Sequence, residues 1–366
     1  MSKEQYNLSI QTNYLKRKMF LDEAGPVTVQ RFEEVKYPKI AKYEELARGF
    51  FWVPEEISLT KDKIDHKEAN DAVKHIFTSN LLRQTALDSI QGRAPSQVFG
   101  PVVSIPELEA LTLTWGFFET SIHSKSYSHI IRNVYGVPKE EFNKIHDTKE
   151  IVDMAANIGK YYEDLHQINC LKETGATIVE KDHIRAIWLA LNASYALEAL
   201  RFMVSFATSL AMVENKIYIG NGNIISLILQ DELLHTEWTG WLINNVVKED
   251  ERFVEAKAEC EEEVYNMYMT VINEEKSWAD YLFSKGVVIG LNAQILKDFV
   301  DYTAFTRLKE IGIKYLEDHP RQSPIPWFNK HVNIGKKQSA LQETESTNYV
   351  IGAMSDSVNY DELPTL

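Results

Sequence analysis

Apolar residues recur three and four positions apart along most of the chain, the spacing that gathers them on one face of an α-helix. The pattern predicts helices over about 31–49, 66–91, 105–135, 148–173, 180–212, 222–247, 250–284 and 291–316. Gly92 reads as the stop of the second helix, Gly136 and Pro138 as the stop of the third, and Asn221–Asn223 as the break before the sixth. Pro106 falls in a first helical turn, where a missing N–H is harmless. The first thirty residues look irregular, with Gly25-Pro26 as a turn, and no stretch alternates long enough for a strand. Residues 338–366 hold five acids and no Lys or Arg, which predicts a flexible acidic tail. The expected division is a helical domain over 1–335 and a tail over 336–366.

Four of these helices carry an acid where the pattern calls for an apolar side chain. Asp88 shares its face with Phe77 and Leu81, and Glu198 with Leu191 and Phe202. Glu119 is followed one turn later by His123 (WGFFETSIHSKSY). Glu232 is followed by His235 (DELLH), on the face that holds Ile225 and Ile228. One such acid is ordinarily a buried residue held by an arginine or an amide. Four buried carboxylates brought together cannot all stay ionised without a cation. With two imidazoles, they predict a dinuclear metal centre in an all-α, ferritin-like helical bundle with additional helices. The donor set suits iron or manganese and excludes zinc–thiolate chemistry. His66, His75, His129, His146, His166, His183, His319 and His331 lack such a partner on an apolar face and read as surface or hydrogen-bonded residues.

Composition narrows the partners. A formal charge of −14 opposes non-specific binding to nucleic acid. Cys170 and Cys260 stand alone, so no disulfide framework is expected, which suits a reducing cytoplasm. The N-terminus lacks the apolar run of a secretory signal. The stretch 184–213 is apolar enough to suggest a membrane span, but Asn192, Glu198 and Arg201 in its interior favour a core helix.

Several local strings occur in one order: FFWVPEE (50–56), LDSIQGRAPS (87–96), HSKSYSHIIRN (123–133), ALEALRF (196–202), DELLH (231–235), WADYLF (278–283) and IPW (325–327). Together they resemble the small, radical-generating subunit of class I ribonucleotide reductase, in its bacterial and T-even-phage-like branch. The resemblance implies metal ligands Asp88, Glu119, His123, Glu198, Glu232 and His235, holding two iron ions, two manganese ions or one of each. It implies that Tyr127 becomes a tyrosyl radical when the reduced metals meet O2, shielded by Phe202, Phe206 and Ile228. Trp52 and Asp231 match a relay that carries the oxidising equivalent outward. Tyr349 and Glu343 in the tail match the residues that pass it on, with NYDELPTL as the peptide that docks on the large subunit. The implied activity is ribonucleoside-diphosphate reduction by a cytoplasmic homodimer acting with that subunit, without nucleic acid or membrane. Two rivals stay open on the residues alone: a ferritin-like ligand-binding oxidase, and an iron-storage protein.

The chain departs from the family pattern at one informative place. Where the family has Glu-x-x-His, this sequence has Glu119-Thr-Ser-Ile-His123, one residue more, while Trp115 and Tyr127 on either side keep their spacing. An insertion into a regular helix would rotate everything beyond it by about 100°. A π-bulge around 119–123 is therefore expected, with the hydroxyls of Thr120 and Ser121 as candidates to approach the metal or the phenol. Gln230 stands where an arginine is expected, and the 170–183 connection looks short.

Overall fold

The computed structural model describes residues 6–9 and 12–332; the acidic segment with Glu343 and Tyr349 lies outside them. α1 (Pro38–Gly49) begins later than the apolar spacing suggests. Proline disfavours a helical residue before it, and the Tyr37 N–H is committed to Glu107 at 2.9 Å. The predicted 66–91 helix is two, α2 (Thr60–Glu68) and α3 (Asp71–Gln91), because the Asn70 side chain caps α3 by accepting the Val73 N–H at 3.0 Å.

The next helix runs through α4 (Pro106–Phe117), a π-helical turn (Phe118–His123) and α5 (Ser124–Val134). α6 (Pro138–Asp147) was not expected; only Phe142 and Ile145 pack against the core from it. α7 (Lys149–Glu173) leads to the longest apolar run, α8 (Glu180–Ala196), a second π turn (Leu197–Arg201) and α9 (Met203–Glu214). The most apolar window of that run is 94% buried inside the protein, so it is the core helix that its interior polar residues foretold.

α10 (Ile219–Glu249) starts before Asn221–Asn223 rather than after them. The chain turns instead through left-handed Lys216 (φ 61°) and Tyr218 (φ 50°). Asp62 of α2 then accepts the Gly220 and Asn221 N–H groups at 3.0 and 2.7 Å, capping α10 from another helix. Gly222 is a packing residue, since a Cβ there would lie 1.9 Å from Val213 Cγ2. α11 (Glu251–Glu259) and α12 (Glu261–Leu282) are separated at Cys260, where the backbone leaves helical geometry at φ −98°, ψ 9°. α13 (Ala293–Glu310) is capped by Asn292 and ends before left-handed Gly312; α14 (Asn329–Val332) follows. Among the described residues the only β pairing is two isolated bridges, Phe20–Val103 and Val288–Leu291. The four helical stretches that carry the acids (α3, α4–α5, α8–α9 and α10) share one core to which α1, α7, α12 and α13 also contribute.

Candidate metal centre

Asp88 sits near the end of α3, Glu119 and His123 on the first π turn, Glu198 on the second, and Glu232 and His235 in mid-α10. All six are buried to 1% exposure or less. They fall into two groups whose donor atoms lie within 4.8 Å of one another: Asp88, Glu119, His123 and Glu232; and Glu119, Glu198, Glu232 and His235. Glu119 and Glu232 belong to both, which is the arrangement of two adjacent ion sites sharing two carboxylates.

The donor atoms themselves show that a cation fits. Both oxygens of Asp88 and of Glu232, Oε2 of Glu119 and of Glu198, and Nδ1 of both histidines are buried with no well-formed hydrogen bond. Buried polar atoms are almost always satisfied, so this many orphans converging on one point mark a missing partner. His123 Nδ1 lies 3.4 Å from Glu119 and 3.2 Å from Glu232; His235 Nδ1 lies 2.8 Å from each of the same two acids. Burial pushes the Asp88 and Glu198 carboxyls well above their usual range, reinforced by neighbouring acids. For Glu232 burial acts the same way, but His123 and His235 outweigh it and hold the group below its usual range. Burial alone would lower both imidazoles; Glu232 leads the acids that raise them instead.

The expected π-bulge is present. The Ser124 N–H reaches the Glu119 carbonyl, five residues back, so the wide turn absorbs the extra residue and keeps Trp115, Glu119, His123 and Tyr127 directed inward. Thr120 takes no part in the site: its hydroxyl donates to the Gly116 carbonyl of the preceding turn.

Of the other residues singled out in the sequence, Tyr127, Asp231 and Trp52 adjoin the acids and imidazoles. The Tyr127 ring is fully buried, and its hydroxyl faces Asp88 without a well-formed hydrogen bond. Burial, then the charge of Asp88, pushes this phenol well above its usual range. Phe202 and Phe206 stack with ring centroids 5.4 Å apart, and both are buried with Ile228. Asp231 Oδ2 accepts from the Trp52 indole at 2.8 Å and lies 3.0 Å from His123 Nε2. That contact places the His123 proton on Nε2 and leaves the Nδ1 lone pair for a cation.

Sequence reasoning missed several neighbours. Trp115 Nε1 lies 3.1 Å from both Glu119 Oε1 and Glu198 Oε1. Gln91 Nε2 donates to Glu198 Oε1 at 2.7 Å, and Tyr162 stands behind Gln91. Trp115 is four residues before Glu119, and Gln91 three after Asp88, so helical spacing alone would have found both. Tyr162 carries no such signal.

A family model, "Ribonucleotide reductase, small chain", matches residues 30–320. The chain belongs to this family. It is 40% identical over 363 residues to the ribonucleoside-diphosphate reductase subunit beta of Buchnera aphidicola subsp. Acyrthosiphon pisum, covering 96% of each chain. It is 38% identical to the ribonucleoside-diphosphate reductase 1 subunit beta of Escherichia coli O157:H7, covering 95% of each. It is 36% identical to the Enterobacteria phage T4 subunit beta, covering 87% of this chain and 88% of that one. Among solved structures, the fold is that of the Clostridium botulinum ribonucleotide reductase R2 subunit (TM-score 0.75, 20% identity, 90% of this chain and 98% of that one). The Streptococcus sanguinis dimanganese(II)-NrdF is similar as well (TM-score 0.69, 20% identity, 84% and 100%). The ferritin-like bundle expected of the small-chain family is the fold found here.

Proposed function

We propose that this chain is the radical-generating small subunit of a ribonucleoside-diphosphate reductase. Asp88, Glu119, His123, Glu198, Glu232 and His235 hold two metal ions, with iron the first choice and manganese or a mixed pair the alternatives. A reduced pair of such ions supplies oxidising power from O2. The observation that carries the reading is the convergence of orphaned donor atoms beside a buried phenol.

The chain's own residues do the rest. With the loaded centre as oxidant, Tyr127 would lose one electron to it and pass its phenolic proton toward Asp88, the acid its hydroxyl faces, to become a tyrosyl radical. Phe202, Phe206 and Ile228 keep water and reductants from the ring. Asp231 fixes the His123 proton at Nε2 and ties that imidazole to the Trp52 indole, whose ring lies 6.3 Å from it. His123, Asp231 and Trp52 are thereby linked in series, and Phe51, the residue before Trp52, is exposed. In this reading residues 1–335 form the metal domain of a cytoplasmic homodimer. Residues 336–366 dock on the large subunit, with Tyr349 and Glu343 completing the transfer.

The test is electron paramagnetic resonance of the full chain after Fe(II) and O2, with Mn(II) loading in parallel. A tyrosyl signal that disappears in Tyr127→Phe is expected. Truncation after residue 335 should keep the signal and abolish turnover with a large subunit. Iron taken up as bulk mineral, or a signal that survives Tyr127→Phe, refutes the assignment.

A further inference from the structure

The two oxygens of Glu198 have different surroundings. Oε1 accepts from Gln91 Nε2 at 2.7 Å and Trp115 Nε1 at 3.1 Å. Oε2 has no hydrogen bond and faces His235 Nδ1 at 3.7 Å. Gln91 is held in turn. Its Oε1 accepts from the Tyr162 hydroxyl at 2.5 Å, and that hydroxyl stands 2.9 Å from Ser194 Oγ. Ser194 lies four residues before Glu198 along the core helix, so the contacts form a circuit through α3, α7 and α8. Gln91, Tyr162 and Ser194 are all buried.

The direction of the circuit follows from which groups can donate. Glu198 Oε1 already accepts from the Trp115 indole, which can only donate, so Gln91 turns its amide NH2 toward that oxygen and its carbonyl toward Tyr162. The phenol must then donate to Gln91, leaving its own lone pairs for the Ser194 hydroxyl. A flipped Gln91 would set carbonyl against carboxylate and force the Tyr162 hydroxyl to accept from Gln91 and donate to Ser194 instead. Apolar side chains of the same shape would pack there at little loss of stability. What the polar circuit adds is direction. Asp88, on the other half of the centre, has no such circuit: neither oxygen makes a well-formed hydrogen bond, and the Tyr127 hydroxyl faces it.

We propose that Gln91, locked by Tyr162 and Ser194, is a positioning residue that turns Glu198 to bind one metal ion through Oε2 alone. The proposal rests on the dimetal reading and assigns this role to residues that are not themselves ligands. It makes the Glu198–His235 half of the centre pre-oriented by a chain of hydrogen bonds that the Asp88 half lacks.

The test is anaerobic Mn(II) titration of the full chain, followed by electron paramagnetic resonance. Wild type should bind two ions. In Gln91→Leu one of the two should weaken by about 10–100-fold, the range for losing a residue that orients a ligand. The coupled-pair spectrum should change, and the urea midpoint of the metal-free chain should stay near wild type. Tyr162→Phe removes a single oxygen and should weaken the same ion by a smaller factor, which keeps the test open should the leucine variant fold poorly. Isotherms and spectra of both variants that overlay wild type overturn the proposal. So does equal weakening of both ions accompanied by a lower metal-free midpoint, which would mark a purely structural role. A wild-type chain that binds no Mn(II) or Fe(II) sinks the dimetal reading itself, an outcome distinct from either.

Discussion

Arg83 of α3 and Glu275 of α12 meet in the core as an ion pair at 1% and 0% exposure. Arg201 Nη1 lies 3.9 Å from the same Glu275 and pairs through Nη2 with Glu274 at 2.5 Å. Burial lowers Arg83 and raises Glu275, and their mutual attraction opposes both shifts. Removing one partner strands a charge in a medium that solvates it poorly. Arg83→Met should therefore destabilise by about 3–5 kcal/mol, while adding Glu275→Leu should recover most of that loss. Urea midpoints of the metal-free variants decide it; a double variant no more stable than the single would show that the pair is not the source. Nothing in the sequence marked Glu275 apart from Glu198, since both are acids in helices with apolar faces. The difference is what faces them. Glu275 has arginines, whereas the six-residue cluster has only two imidazoles for four carboxylates, and that imbalance is what distinguishes a metal site from a structural ion pair.

Helix ends were legible at some of the glycines and prolines and missed at others. Gly92 stands at the end of α3 as expected, whereas Pro138, expected only as part of the stop of the third helix, opens the unexpected α6. The breaks at Asn70 and Cys260 were hidden, because the apolar repeat continues across them. The first π turn was visible because a Glu/His pair had one residue too many between fixed flanks. The turns at Pro95–Phe99 and Leu197–Arg201 were not, since neither interrupts a pattern with a known length. The α7–α8 connection offers a test at this scale. His183 at the start of α8 is hydrogen-bonded to Asn169 of α7 at 2.8 Å, and Asn169 holds the Val98 carbonyl. Burial, helped by Lys172, lowers the His183 imidazole to about 4. An unfolded chain titrates this group near 6.5, so as pH falls the unfolded state takes the proton first and the native state is penalised. Between about pH 7.5 and pH 5 this group alone should remove about 2 kcal/mol of stability. His183→Gln lacks that proton, so its stability relative to wild type should improve by this amount over the same range. A gap between the two that stays constant with pH would refute the neutral, buried state of His183.

At the scale of the whole molecule, the centre and the fold depend on one another. Four helices supply the donors, so two ions, one reaching α3 and the other the α8–α9 helix, would together tie both to the α4–α5 helix and α10. An ion that binds only the native state adds RT ln(1 + [L]/Kd), about 2.7 kcal/mol at a hundredfold excess over Kd, and two ions add about 5 kcal/mol. For a chain of this length that corresponds to a rise in Tm of roughly 5–10 °C. Calorimetry of the full chain with chelator, and then with Mn(II) or anaerobic Fe(II), should show the rise, whereas Mg(II), which prefers a shell of oxygen and water, should give much less. The sharing of ligands makes the pattern specific. Glu119 and Glu232 each belong to both donor groups, so Glu232→Gln should lose the increments of both ions. Asp88 belongs to one, so Asp88→Asn should keep part of the rise. Equal losses in the two variants would mean that the ions do not share Glu232, and the two-site geometry would have to be redrawn.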